Sequence, residues 1–287
     1  MPELPEVETI RRILEPQLLG CTIETVDLFQ PQIISWPASG ESFVRQLAGQ
    51  SIISLRRRGK FLIFYFAQGD RMVLHLRMTG QLLVTPADFP REKHTHLVAH
   101  LSSGAELRYI DVRRFGRFWY LHPEESDAIA GLNKLGVEPL SDECTGAYLR
   151  QKGVRRKQPL KSFLLDQTAV AGVGNIYADE ILFAARLHQE EPCNHLSTRA
   201  WNRLASSIHE IIQWGIEADQ MTPKEYLAGR GKEYSDIEGL RAYGREGQPC
   251  PRCGYRMKRV IIGGRSSCYC PRCQRKRRSG KKDKING

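Results

Sequence analysis

Five cysteines within the 24 residues from Cys250 to Cys273 constrain this chain more than any other feature. Four of them fall in two matching tetrapeptides, Cys250-Pro-Arg-Cys253 and Cys270-Pro-Arg-Cys273, with sixteen residues between. C-x2-C pairs at this separation fit a four-thiolate zinc site, each pair on a tight knuckle. Four thiolates close the coordination sphere, so the expected Zn2+ is structural and leaves no position for substrate. Cys268 is expected to stand outside the ligand set. Between the knuckles, 256–262 and 265–269 should pair as a hairpin turning at Gly263-Gly264, with Arg265 beside the turn. A basic ribbon of this kind suits a groove of duplex DNA, and equally an RNA or protein surface.

The charge is concentrated in the same place. From Arg241 onward there are 15 lysines and arginines against Glu246 and Asp283, a net of +13. The preceding 240 residues carry 28 basic and 30 acidic groups, so the overall +11 describes a C-terminal module and not the whole surface. Such a module seeks a polyanion, and nucleic acid is the expected partner. Cys21, Cys144 and Cys193 are scattered and read as isolated thiols. No apolar run approaches the ~20 residues that span a bilayer, and no signal-peptide pattern opens the chain. A cytoplasmic protein without membrane contact is expected. At 287 residues the chain suits two or three domains.

Residues 6–15 read as a short amphipathic helix, with Val7, Ile10, Ile13 and Leu14 on one face and Pro16 expected to kink or end it. Residues 22–122 read mostly as short strands, including 52–55, 61–66, 72–76, 96–101, 106–112 and 118–121. Many short strands with turn signals suggest a sandwich or barrel. Beyond Gly131 the pattern turns helical, at 148–151, 160–167, 176–187 and 197–218. The last carries Trp201, Leu204, Ala205, Ile208, Ile211 and Ile212 on one face, with Ser197 as its cap. Ala171-Gly172-Val173-Gly174-Asn175 precedes one of these helices. Glycines there let backbone approach an anion at the helix start, although a simple tight turn explains them as well. Residues 219–247 read as a long loop and a linker.

The N-terminus is Met1-Pro2-Glu3-Leu4-Pro5-Glu6. Taken alone it suits a helix start, because proline and glutamate favour a first turn. If Met1 is removed, Pro2 presents a secondary amine beside a carboxylate. An α-amine has a pKa near ~8 against ~10.4 for lysine, so it is more often the neutral form that attacks carbon.

Pro2-Glu3-Leu4-Pro5-Glu6-Val7-Glu8-Thr9, Arg58-Gly59-Lys60-Phe61-Leu62, His75-Leu76-Arg77-Met78-Thr79-Gly80, Asp111-Val112-Arg113-Arg114-Phe115-Gly116, Gly172-Val173-Gly174-Asn175-Ile176-Tyr177-Ala178 and the cysteine ribbon occur in that order. Together they resemble the formamidopyrimidine-DNA glycosylase family over nearly the whole chain, to about Gln274. The resemblance implies an α+β multidomain fold. An antiparallel N-terminal β-sandwich with an N-terminal helix spans 1–130. A helix–two-turns–helix domain with a base-capping loop spans 131–240, and a zinc ribbon with a basic tail spans 241–287. It places damaged double-stranded DNA between the sandwich and the helical domain. It implies a bacterial, nucleoid-associated monomer of base-excision repair with one structural Zn2+ and no redox or organic cofactor.

The implied reaction is removal of oxidised purines followed by strand cutting. Pro2 nitrogen attacks C1′ of the damaged nucleotide, and the resulting iminium drives β- and δ-elimination. Pro2, Glu3, Lys60 and Arg265 form the implied catalytic set. Glu3 is the acid/base at the sugar and Glu6 supports it; Lys60 and Arg265 grip phosphate near the lesion. His75, Asn175 and Arg114 match DNA-contacting positions. Met78, Arg113 and Phe115 match the residues that fill the void left by the extruded base. Met78 or Phe115 alone would read as ordinary core. Two features depart from the family: 215–220 lacks a Gly-Gly-Thr/Ser run, and the tail 275–287 extends past the usual end. An endonuclease VIII-type enzyme for oxidised pyrimidines, or an inactive zinc-ribbon DNA-binding protein, are the alternatives. Leu4 and the Met78/Arg113/Phe115 set argue against the first.

Overall fold

Glu3 and Glu6 start the first helix, α1 (Leu4–Leu18), in the manner of a capping box: the Glu6 carboxylate accepts the Glu3 backbone N–H at 2.6 Å. The structure, a computed structural model, describes residues 1–229, 231 and 239–276. α1 buries Val7, Ile10, Ile13, Leu14 and Leu18. Pro16 does not end it, contrary to expectation. It sits in the last turn, where only one backbone bond is lost. There the Gln17 side chain donates to Ile13 O at 2.6 Å and Leu19 N–H still reaches Glu15 O at 3.0 Å.

Two compact units divide the chain. The first, Met1–Glu138 with Ile212–Glu238, holds α1 and two sheets. Its strands are β1 (Ile23–Leu28), β2 (Ile34–Trp36), β3 (Ile52–Arg58), β4 (Phe61–Phe66), β5 (Arg71–His75), β6 (Gly80–Pro86), β7 (Thr95–Leu101), β8 (Ala105–Asp111) and β9 (Arg117–Leu121). One sheet runs β1-β7-β8-β6 and the other β2-β9-β5-β4-β3. Leu62, Phe64, Phe66, Met72 and Leu74 from one sheet and Leu82, Leu97, Leu107 and Tyr109 from the other share a core with α1, so the sheets form the expected sandwich. One pairing, β2 with β9, is parallel rather than antiparallel. A helix, α2 (Gly40–Leu47), interrupts the region expected to be strands; Ser39 caps it, and Phe43 and Leu47 are buried one turn apart.

The second unit, Pro139–Ile211 with Gly239–Gly287, carries α3 (Gly146–Gly153), α4 (Leu160–Leu165), α5 (Asn175–Ala184) and most of α6 (Thr198–Ala218). The predicted face of α6 is buried throughout, and Ser197 Oγ accepts from Ala200 N–H at 3.3 Å. The ribbon strands are β10 (Lys258–Ile262) and β11 (Arg265–Tyr269), paired Ile262 to Arg265 around a turn in which Gly263 and Gly264 both have positive φ, 56° and 75°. A fully buried ion pair, Lys161 Nζ to Asp179 Oδ1 at 2.6 Å, holds the ribbon within this unit. Lys161 also donates to Ser266 O at 3.1 Å, and Asp179 Oδ2 accepts Cys268 N–H at 2.9 Å. The Glu180 carboxylate accepts three successive N–H groups from Arg241, Ala242 and Tyr243.

The stretch expected to be loop contains α7 (Pro223–Ala228), built on a Thr222/Glu225 capping box. Buried Tyr226 ties it to β6 by donating to Leu82 O at 3.2 Å. Of the expected loop, residues 230 and 232–238, and of the basic tail those from 277, lie outside the described residues. Among the described residues no helix is long and apolar enough to cross a membrane.

Candidate functional site

The start of α1 concentrates the first group of predicted residues. Pro2, Glu3 and Glu6 are buried, while Met1 is 50% exposed. The bond from Glu3 N–H to Glu6 fixes the two carboxyl-bearing residues against each other, and the helix start favours negative charge there.

Lys60 stands in the turn with Gly59, just ahead of β4, and is 6% exposed. Antiparallel pairing sets Phe61 against His75, their rings edge to face at 4.6 Å. Burial, then the charges of Arg77 and Lys60, press the His75 imidazole down to about 3. His75 is therefore neutral at working pH. Its Nδ1 accepts Arg77 N–H at 3.0 Å, which leaves the proton on Nε2, a donor suited to an anionic oxygen. The folded value lies below the unfolded one. The stability that His75 contributes is thus present above about pH 6.5 and lost as pH falls toward 3. We expect His75→Ala to weaken duplex binding by a factor that stays constant between about pH 5.5 and about pH 8.5. Binding isotherms with an inflection near pH 6.5 that depends on His75 would contradict this.

Met78 and Phe115, 43% and 45% exposed, stand on the β5–β6 and β8–β9 turns. Arg113 joins them: its NH1 donates to Met78 Sδ at 3.0 Å and its guanidinium lies over the Phe115 ring at 4.6 Å. Two turns distant in sequence thus share one exposed tip. Asp111, fully buried, holds both turns. Oδ1 accepts from Thr79 Oγ1 and from Arg113 N–H; Oδ2 accepts from Tyr109 Oη and Gly116 N–H, both at 2.9 Å. Burial pushes the Asp111 carboxyl up, but these donors outweigh it and hold it below the ordinary value. Gly116 is required by space, since an added Cβ would lie 1.7 Å from Tyr109 Oη. Arg114, with φ of 56°, is exposed beside the tip.

The second unit holds the other predicted residues. Asn175 begins α5, and its Oδ1 is buried without a hydrogen-bond partner among the described residues. Arg265 is exposed at the ribbon turn. Cys250, Cys253, Cys270 and Cys273 place their sulfurs within 4.8 Å of one another, and Cys268 is not among them. Zn–S bonds of ~2.3 Å in a tetrahedron require sulfurs about 3.8 Å apart. The observed Cys250–Cys273 and Cys253–Cys270 separations, 4.0 and 3.5 Å, fit. Backbone N–H groups of Arg252 and Cys273 point at Cys250 and Cys270 sulfur, as zinc thiolates favour.

Three family models match in sequence along the chain. They are the formamidopyrimidine-DNA glycosylase N-terminal domain over 1–118, its H2TH domain over 135–226, and a zinc finger found in FPG and IleRS over 247–275. The chain belongs to the formamidopyrimidine-DNA glycosylase family. Formamidopyrimidine-DNA glycosylases of Desulforamulus reducens and Bacillus subtilis are 45% and 40% identical to it, each over 96% of this chain and 99% and 100% of theirs. Among solved structures, a Lactococcus lactis Fpg bound to DNA containing an oxidised pyrimidine is 36% identical, with a TM-score of 0.87 over 96% of this chain and all of that one. Another, in complex with Fapy-dG DNA, is 35% identical with a TM-score of 0.86 and the same coverage. Within this glycosylase fold several residues that shape the site carried no sequence signal of their own. Asp111 was visible only as part of a motif, and Arg57, Glu138, Lys161 and Asp179 act through partners far away in sequence.

Proposed function

We propose that this chain excises oxidised purines, 8-oxoguanine and formamidopyrimidines, from duplex DNA and cuts the strand there, as a glycosylase and abasic-site lyase of base-excision repair. The observation that carries the reading is the exposed Met78/Arg113/Phe115 tip. Large apolar and cationic side chains held in solvent by a buried aspartate suit insertion into a base stack, and no core packing accounts for them. The target base must leave the stack before chemistry can begin. Met78 and Phe115 fill the void, and Arg113 hydrogen-bonds the orphaned base.

Pro2, freed of Met1, attacks C1′ through its nitrogen. The C1′–N9 electron pair leaves with the purine, which takes a proton. Glu3 serves the sugar as acid and base, and Glu6 holds it. Opening of the sugar leaves an iminium that acidifies C2′–H. Loss of that proton breaks the C3′–O bond, and a second elimination breaks C5′–O, releasing both phosphates. The electron sink is the protein's own amine, so this route uses no redox or organic cofactor. Lys60 and His75 hold phosphate from the sandwich; Asn175, Arg265 and Arg114 add further backbone contacts. The zinc keeps the ribbon folded. In the division of labour we favour, 1–130 does chemistry, 131–240 grips and caps, and 241–287 clamps. The protein acts as a cytoplasmic, nucleoid-associated monomer without membrane contact.

One relative was crystallised with an oxidised pyrimidine, so pyrimidine lesions form a second reading. Single-turnover excision of 8-oxoguanine and of thymine glycol, each opposite every base, separates the two. Faster release of 8-oxoguanine is expected; a reversed order would move the chain to the pyrimidine enzymes. Tight binding without base release or nicking would leave only a DNA-binding role.

A further inference from the structure

β3 ends in three consecutive arginines, and two of them are not simple surface charges. Arg57 and Arg58 side chains are 12% and 29% exposed. Arg57 Nε donates to Glu8 Oε2 at 3.2 Å and its NH1 to Glu138 Oε2 at 2.7 Å. Arg58 donates to Glu138 Oε1 at 2.8 Å and to the carbonyls of Leu135 and Gly136 at 3.1 and 2.5 Å. Glu8 pairs in turn with Arg11 and Arg12 along α1. The result is an alternating chain of charge, Glu8–Arg57–Glu138–Arg58. It runs from α1, which Pro2 and Glu3 lead into, to the turn that carries Lys60.

The same groups also grip the backbone of that turn. Glu138 Oε1 accepts Gly59 N–H at 2.6 Å, and Arg57 NH1 donates to Gly59 O at 3.0 Å. The first bond fixes the peptide plane before Gly59 and the second the plane between Gly59 and Lys60. With both planes set, so is the direction in which Lys60 leaves the turn. Burial pushes the Glu8 and Glu138 carboxyls up, but the neighbouring arginines, with Gly59 N–H at Glu138, outweigh it and keep both below the ordinary range. Both stay charged at neutral pH. Partly buried ion chains are poor sources of stability compared with apolar packing, and their best-attested use is to fix register.

We propose that Arg57 and Glu138 are positioning residues for Lys60, and that the Glu8–Arg57–Glu138 chain sets the Lys60 turn against the helix bearing the Pro2 amine. This rests on the role given to Lys60 above. Neither residue touches DNA; both act through Gly59 and Lys60.

The test is single-turnover excision of 8-oxoguanine by Glu138→Gln, Lys60→Ala and the double variant. A misplacement of about an ångström costs up to ~100-fold, so Glu138→Gln should be about 10- to 100-fold slow. In the Lys60→Ala background the same substitution should change the rate by less than about twofold, because the group it positions is gone. Glu8→Gln breaks the other end of the chain while leaving the Glu138 contacts in place. It serves if Glu138→Gln does not fold, with a smaller slowing that also vanishes without Lys60. An equal slowing in both backgrounds would overturn the inference and make the chain a general scaffold. Full activity in both single carboxylate variants would overturn it too. Full activity in Lys60→Ala alone would instead overturn the role given to Lys60, and the inference with it.

Discussion

A chain that keeps a residue ahead of Pro2 will neither form a covalent complex with abasic DNA nor cut it. Acylation turns the proline nitrogen into an amide whose lone pair is delocalised into the carbonyl, and no other group at the start of α1 is a nucleophile of comparable strength. Glu3 and Glu6 are carboxylates committed to the helix start. Loss of a nucleophile removes the covalent route outright, and strand cutting should fall by at least about 10^4-fold. Met1 is half exposed ahead of a buried Pro2, which leaves it open to removal without disturbing the helix. The comparison is between two preparations, one starting at Pro2 and one extended by a residue that is not removed. Nicking of an abasic duplex is followed in a single turnover. Equal rates would place the nucleophile elsewhere.

The second large effect follows from removing the zinc. Among the described residues, the core around the knuckles is Phe183, Ala242, Cys250, Met257 and Cys270, with Cys253 and Cys273 against it. Two five-residue strands on so small a core do not hold a hairpin. Zinc bound by four thiolates supplies roughly 10–16 kcal/mol, which is most of the ribbon's folding free energy. Cys270→Ala, or chelation until one equivalent of zinc is released, should disorder the ribbon and with it Arg265. Affinity for lesion-bearing duplex should drop on the order of 100-fold near 0.1 M salt, with a shallower salt dependence because phosphate contacts are lost. The melting of the sandwich should not change, since among the described residues its core shares none with the core of the ribbon. Unchanged affinity after zinc release would separate the ribbon from DNA binding.

The parts of the fold that were legible in the sequence are those whose causes are local. Cysteine spacing, the Gly263-Gly264 turn and the six-residue stripe of α6 each depend on residues a few positions apart. The parts that were missed depend on distant partners. α2 is short, and its buried pair, Phe43 and Leu47, is a faint signal among strands. α7 lies in a polar stretch and is anchored by Tyr226 to a carbonyl 144 residues away. Pro16 looked like a stop because its lost bond was visible, while the bonds that carry the last turn past it, such as Leu19 N–H to Glu15 O, were not.

The candidate site divides in the same way. By residue type alone, Met78 and Phe115 belong in a core, and only the family resemblance gave them another role; both are exposed. The groups that hold site residues in place were not legible at all. Asp111 bridges turns 32 residues apart, and Glu138 reaches 80 residues back to Arg58. A carboxylate that works through such a bridge looks, in the sequence, like any other surface acid.

The central claim is that Pro2 nitrogen bonds to C1′ of the damaged nucleotide. Borohydride reduction during reaction with an abasic duplex tests it most directly, because hydride converts the iminium into a stable amine. A chain beginning at Pro2 should yield one protein–DNA adduct, and proteolysis followed by mass measurement should locate the added sugar on the N-terminal peptide at Pro2. No adduct from such a chain, or an adduct mapped to Lys60, would contradict the account.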